Sequence, residues 1–406
     1  MKLSRRDFLL KGTAMFATLG LGEVLLPTGG SLFAQEPADG ETVLVVVQLG
    51  GGNDGINTLI PYGQGAYYDA RPTLAYQQSE VLALNNQVGL HPSLKNLKRL
   101  YDANKLAVIQ GVGYPNPNLS HFRSMEIWQT AEPAKVISSG WLARYVESSL
   151  RGNVNPLRAV QIGGNDLAFH SDNLSFPVLG SLESFQIFSS DTPVLDKNRL
   201  NQAYLGMYGV QNHMEALRIT CQRGQETLNT VEAVQAMNGG YVNSVQYPYR
   251  GIAGGLQTIA KLIAGKSGTR VFNIVTGGFD DHLDERVQHA ELLADLDQAL
   301  GAFYDDLVVQ GAAHRVAVMV FSEFGRRVKE NGSAGTDHGA AAPMFVLGGK
   351  VKGGLYGAYP SLTDLSYGDL KYQVDFRSVY STILESWLKG DTQSVLGKTY
   401  ENLNIF

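Results

Sequence analysis

Six short apolar runs recur along the chain: Val43–Leu49, Leu106–Gly111, Ala159–Gly163, Val271–Thr276, Val316–Phe321 and Met344–Leu347. Each is continuous rather than alternating, and most stop at glycine or a small polar residue. A strand covered on one face alternates. A strand covered on both reads as an unbroken apolar segment, the pattern of parallel sheets with helices above and below. Stretches with helical spacing lie between the runs. Leu94 to Ala103 follows His91-Pro92-Ser93, Ala290 to Leu307 repeats apolar residues at helical intervals, and Asp375 stands as an N-cap before the run to Leu388. This alternation predicts an α/β fold, a three-layer sandwich with a mostly parallel central sheet. Residues from about 195 to 265 are polar and helical in pattern, hold no buried strand, and predict a helical insertion.

The 406 residues carry a net charge of −5, and nothing favours nucleic acid, whose binders present a basic face. The single cysteine, Cys221, rules out an intrachain disulfide and a cysteine-rich zinc site. In its helical context it reads as an inert buried thiol. The N-terminus holds Ser4-Arg5-Arg6-Asp7-Phe8-Leu9, a twin-arginine export pattern, and then an apolar stretch that Glu23 interrupts and that is too short for a comfortable membrane span. The expectation is a signal over residues 1–38, read by the twin-arginine translocase. Residues 39–406 then form one periplasmic or otherwise extracytoplasmic domain with no stable transmembrane span.

Ligands of an open parallel sheet bind beyond the carboxyl ends of its strands. The polar groups that follow each run are therefore the candidates. Asn53 and Asp54 follow the first run; Ser120, His121, Arg123 and Ser124 follow the second; Asp280, Asp281 and His282 follow VFNIVT. Glu323 and Arg326 follow VAVMVF, and Asp337 and His338 precede MFVL. Carboxylates and imidazoles in glycine-rich turns are the donor set of zinc or another divalent ion. His91 and His289 read as packing residues at or on helices.

Two rival chemistries fare poorly. Gly50, Gly52 and Gly55 match G-x-G-x-x-G, but Ile56–Gly63 (INTLIPYG) ends in Pro and Gly where a dinucleotide loop would open into a helix, and Asp54 would repel a pyrophosphate. The nucleophile elbow G-x-S-x-G of α/β-hydrolases is absent, as are P-loop and H-E-x-x-H patterns.

In order, LGGGNDGIN, LHPSL, GVGYPNPNLSHFRSMEIWQT, GGFDDH, FSEFGRR, GTDHGAAAPMFVLGG and VKGGLYG resemble a bacterial exported family catalogued as domain of unknown function 1501, from about residue 43 to 400. That family is similar in layout to the alkaline phosphatase superfamily, with its sulfatases. The resemblance implies a metal-binding Asp at the end of the first strand, matched by Asp54, and a serine nucleophile at a helix start, matched by Ser120 with Ser124 in reserve. It also implies metal ligation by Asp280 and His282 and by His338, with Asp337 beside it. Where the superfamily has Asp-His after the VAVMVF strand, this chain has Glu323-Phe324: a carboxylate is kept and an imidazole lost. Arg123 and Arg326 would hold the anion, and His121 is a further candidate. The implied activity is metal-dependent hydrolysis of a small anionic phosphate or sulfate ester. The alternative is a non-catalytic envelope binding or assembly protein with a degenerate site.

Overall fold

The computed structural model describes residue 41 onward, except for isolated positions between 151 and 166, residues 183–193, and much of 210–243. The expected signal at 1–38 and the middle of the expected insertion lie outside the described residues. Ten strands and six helices position the site. The strands are β1 (Val43–Leu49), β2 (Leu106–Gly113), β3 (Ala159–Ile162), β4 (Val178–Leu179), β5 (Val271–Thr276), β6 (Val316–Ser322), β7 (Gly325–Glu330), β8 (Thr336–Gly339), β9 (Ala342–Gly348) and β10 (Gly354–Tyr356). The helices are α1 (Lys95–Asp102), α2 (His121–Thr130), α3 (Trp141–Ser149), α4 (Ala253–Ala264), α5 (Glu285–Val309) and α6 (Phe376–Thr382).

The main sheet runs β10-β2-β9-β6-β1-β5-β3-β4. β1 pairs in parallel with β5 on one side and β6 on the other. β9 is antiparallel to both its neighbours, β2 and β6, so the sheet is mixed but mostly parallel. All seven residues of β1 are buried, and they divide between two cores. Val43, Val45, Val47 and Leu49 join Leu97 of α1, Leu256 of α4 and Leu293 of α5. Leu44 and Val46 join Trp128 of α2, Trp141 of α3 and Tyr380 of α6. Side chains alternate across a strand, so a run that is apolar at every position but Gln48 must be covered on both faces, and it is. Each such buried side chain contributes about 1.5–3 kcal/mol.

The three-layer α/β sandwich is as expected. The helix with an Asp375 N-cap is present too: the carboxylate accepts the Arg377 N–H at 2.9 Å, and the chain stays helical to Leu388. The expected insertion needs correcting at its end. α4 is a core helix, with Leu256, Ile259, Ala260, Leu262 and Ile263 buried against the sheet. The chain from Gly325 to Gly339 (GRRVKENGSAGTDHG), read as loop, forms the β7–β8 hairpin.

Candidate metal centre

β1, β5 and β6 are parallel neighbours, so their carboxyl ends share one rim of the sheet. The glycine loop leaves β1 there. Gly51 and Gly52 have φ of +120° and +73°, and a Cβ on them would come within 2.5 Å of the Asp280 amide and 2.1 Å of the Phe324 ring. Only glycine fits such a loop, which lies flat against the segment after β5 and the residues after β6. Its backbone then becomes part of the construction. The Gly51 N–H donates to Glu323 Oε1 at 2.8 Å. The carbonyls of Gly51 and Gly52 accept from Arg326 at 2.5 and 2.6 Å.

On this rim three side chains, His121, Asp280 and His338, bring ligand atoms within 4.8 Å of one another, and His282 joins them through Asp280 and His338. The Nε2 atoms of His282 and His338 lie 3.0 and 3.1 Å from Asp280 Oδ1, and 3.1 Å from each other. His121, the first residue of α2, brings its Nε2 to 3.4 Å from Asp280 Oδ2. The outer nitrogens decide the tautomers. His338 Nδ1 lies 2.8 Å from the Leu119 carbonyl and His121 Nδ1 lies 3.0 Å from Glu323 Oε1. Carbonyl and carboxylate oxygens only accept, so both Nδ1 atoms carry the proton and both Nε2 lone pairs face inward. His121 Nε2 is buried with no hydrogen-bond partner. Beside Asp280, whose Oδ1 also accepts from Arg326 at 2.8 Å, His121 and His338 thus present acceptors to the interior of the cluster. A cation fits it: with zinc bonds near 2.0–2.1 Å, the edge of a tetrahedral ligand set is about 3.3 Å, close to the 3.0–3.1 Å triangle of His282, His338 and Asp280. The Phe324 ring sits under His121 and His338, with centroids 4.9 and 4.5 Å away.

The remaining candidates lie elsewhere. Asp54 does not face the cluster. It is 2 % exposed, its carboxylate pairs with the buried guanidinium of Arg71, and it N-caps a single helical turn at Gly55–Thr58. Its charge is already balanced, so the structure gives no support to a ligand role. Glu323 is fully buried and stands behind His121, holding Gly51 N–H and His121 Nδ1 on Oε1, with the Ser322 hydroxyl 3.1 Å from Oε2. It braces a ligand where direct ligation was expected. Arg326 is 1 % exposed and donates to Gly51, Gly52, Phe279 and Thr336 carbonyls and, at 2.8 Å, to Asp280 Oδ1. All its donors point inward, so it braces the loops and cannot clamp an external anion. Arg123 turns along its own helix to Glu126, 2.6 Å away, and to the Lys135 carbonyl. Ser124 is buried, its hydroxyl donating to the Glu323 carbonyl at 2.5 Å. Ser120 is exposed at the N-cap of α2, and its hydroxyl makes no cap bond. Asp337 Oδ1 lies 3.7 Å from His282 Nδ1, on the outer side of that ring.

Charge near the centre is uneven. Burial pushes the Asp280 carboxyl up, but the adjacent His338, the Arg326 guanidinium and the nearby His121 outweigh it and hold the group down at about 2. It stays ionised, as a ligand must. Next to it, Asp281 is buried with both oxygens unpartnered, and burial raises it to about 6. Deeper still, Glu285 is raised first by burial and then by Asp54, so it sits as a neutral acid beside an ionised one.

The family described as "Protein of unknown function (DUF1501)" matches residues 105–400, well over half of the sequence. The chain belongs to that family. No match was found among curated proteins. Solved structures similar to this DUF1501 chain include a protein in the alkaline phosphatase superfamily from Vibrio parahaemolyticus, at 10 % identity and a TM-score of 0.38 over 98 % of this chain and 78 % of that one. The lipoteichoic acid synthase LtaP from Listeria monocytogenes is 10 % identical, with a TM-score of 0.34 over 94 % and 78 %. The C-terminal periplasmic domain of EcEptC from Escherichia coli, solved in complex with Zn, is 10 % identical, with a TM-score of 0.34 over 76 % and 72 %. Overlaps this partial say nothing of what this family member acts on. Among the described residues, no helix is long and apolar enough to cross a membrane.

Two features of the DUF1501 chain go beyond the sequence reading. His121, there only a further candidate, stands in the middle of the cluster. The β7–β8 hairpin sets Arg326 opposite His338. Its five-residue connection, Asn331 to Gly335, is not the two-residue turn that Asn-Gly signals.

Proposed function

We propose that this protein is an exported, metal-dependent hydrolase of phosphate or sulfate esters with one divalent ion, zinc by its donor set, held by His121, Asp280 and His338, with His282 beside them. One observation carries the reading: His121, Asp280 and His338 bring ligand atoms within 4.8 Å of one another, and both histidines have tautomers fixed from behind. Such a cluster is unfavourable until a cation enters it. When bound, the ion supplies positive charge against the negative charge that develops on the ester oxygens. The chain supplies the rest. The first N–H groups of α2 lack intrahelical partners and suit an anionic oxygen. The exposed Ser120 hydroxyl, one residue before His121, is the nucleophile. Export by the twin-arginine route, with folding and loading of the ion before transport, belongs to the same reading and rests on the Arg5-Arg6 pattern.

Metal analysis of protein prepared without chelator, together with turnover of a panel of aryl phosphates and sulfates, tests the proposal. The expected result is close to one zinc per chain and hydrolysis that Ser120→Ala reduces at least a hundredfold. No stoichiometric metal would overturn the centre; activity that survives Ser120→Ala would overturn the nucleophile. A second reading, an envelope binding protein that holds the ion without turnover, is favoured by one fact. Both arginines expected to grip the anion are engaged with the protein itself. Metal at full occupancy with no turnover on either ester class would select it.

A further inference from the structure

We infer that Glu323 is the positioning carboxylate of the centre, fixing His121 in the Nδ1–H tautomer with Nε2 toward the ion; this rests on the metal reading above. The case begins with cost. A fully buried carboxylate is expensive to desolvate and is kept only where its lone pairs are engaged. Glu323 meets that condition through three groups from different parts of the chain. Gly51 N–H and His121 Nδ1 lie 2.8 and 3.0 Å from Oε1, and the Ser322 hydroxyl lies 3.1 Å from Oε2. Among the four site side chains, Glu323 contacts only His121, so it acts on the centre through that ring. His121 needs such a partner more than the other two histidines. His338 is anchored by the Leu119 carbonyl, and His282 and His338 touch Asp280 and each other. His121 stands furthest from Asp280, at 3.4 Å, and its Nε2 is buried and unpartnered. Without Glu323 the ring is free to present Nε2–H, which points a proton at the ion's place. The Phe324 ring packs against His121 at 4.9 Å with the planes tilted by 40°, while the carboxylate sets its proton. The departure from Asp-His to Glu323-Phe324 is then a change of layout: the imidazole arrives from α2, and the residues after β6 hold it.

The histidine nitrogens of the full chain can be read by 15N NMR at pH 8, with His121 assigned by comparison with His121→Gln. The expected pattern at His121 is a protonated Nδ1 and an unprotonated Nε2, which shifts when zinc or cobalt(II) is added. An Nε2–H tautomer overturns the proposal without any variant having to fold. Cobalt(II) titration adds the energetic arm. Glu323→Ala should weaken binding about 10–100-fold and alter the visible spectrum of the bound ion. Glu323→Gln, which keeps the acceptor, should recover most of that loss. In a His121→Ala background, Glu323→Ala should cost no further affinity; a merely structural glutamate would cost as much there as in the wild type, which would overturn the proposal. Failure of the wild type to bind either ion sinks the centre itself. Binding by the wild type with unchanged affinity in Glu323→Ala sinks only the role of Glu323.

Discussion

Arg71 balances the charge under the glycine loop. Its guanidinium is wholly buried on Asp54 and also donates to the Val328 and Arg327 carbonyls at 2.9 Å. Removing one partner of a buried pair leaves a carboxylate with no counter-charge, at a cost of about 3–5 kcal/mol. Arg71→Met should lower the denaturant midpoint accordingly, while the folded fraction keeps its zinc content, because Asp54 lies outside the cluster. A loss of metal at unchanged stability would restore Asp54 as a ligand. The neighbouring Glu285 gives a pH dependence whose sign is fixed. Its folded value, about 9, lies above its ordinary 4.5, so its contribution is complete below 4.5 and is lost as the pH rises toward 9. Unfolding free energy should therefore fall between pH 5 and pH 9, and Glu285→Gln should flatten that slope; an equal slope in the variant would place its origin elsewhere. None of this pairing was legible in the sequence. Asp54 follows a buried strand whether it turns outward to an ion or inward to an arginine, and Arg71 sits in a segment with no pattern of its own.

At the scale of elements, the β7–β8 hairpin organises the loop that carries Asp280 and His282. Its turn carbonyls, Ser333 and Ala334, accept the Asp284 and Glu285 N–H groups at the start of α5. Asn331 donates to the His282 carbonyl at 2.9 Å, and Thr336 N–H to that of Asp281 at 3.2 Å. The contact is so close that a Cβ on Gly335 would meet the His282 carbonyl carbon at 2.2 Å. Gly335 does not have a positive φ, so substitution acts through this clash alone. Gly335→Ala should cost about 1–3 kcal/mol of stability. It should also weaken cobalt binding at least tenfold, since the shift falls on the backbone of His282, which touches Asp280 and His338. Unchanged affinity would mean that the loop is held from elsewhere. The buried strands were legible because an unbroken apolar run has few homes other than a sheet covered on both faces. The hairpin was not: its residues are mostly polar, and what orders them is contact with a loop fifty residues away in sequence.

For the whole molecule, the arrangement argues for one ion. Asp54 is neutralised by Arg71 and Glu323 is engaged by His121, so the two carboxylates that a second ion would need have other partners. Titration should give one zinc per chain. At a hundredfold excess over the dissociation constant, that ion should add about 2.7 kcal/mol of stability, read as a rise in melting temperature that chelator reverses. A stoichiometry of two would refute it. Fold class, rim and the clustered residues, with His121 only as a further candidate, could be read from the sequence, because strand ends gather at one edge whatever the detailed packing. Which carboxylates face the rim could not, since that depends on partners far away in the chain. The sheet order has a further consequence in time. β1 lies between β5 and β6, which the chain reaches more than two hundred residues later. At synthesis rates of about 5–20 residues per second, its apolar edges wait on the order of tens of seconds for either neighbour. Such non-local parallel pairing is slow to form. During that wait a continuous Val-rich segment is exposed to aggregation, and the molecule depends on whatever shields β1 until its partners emerge.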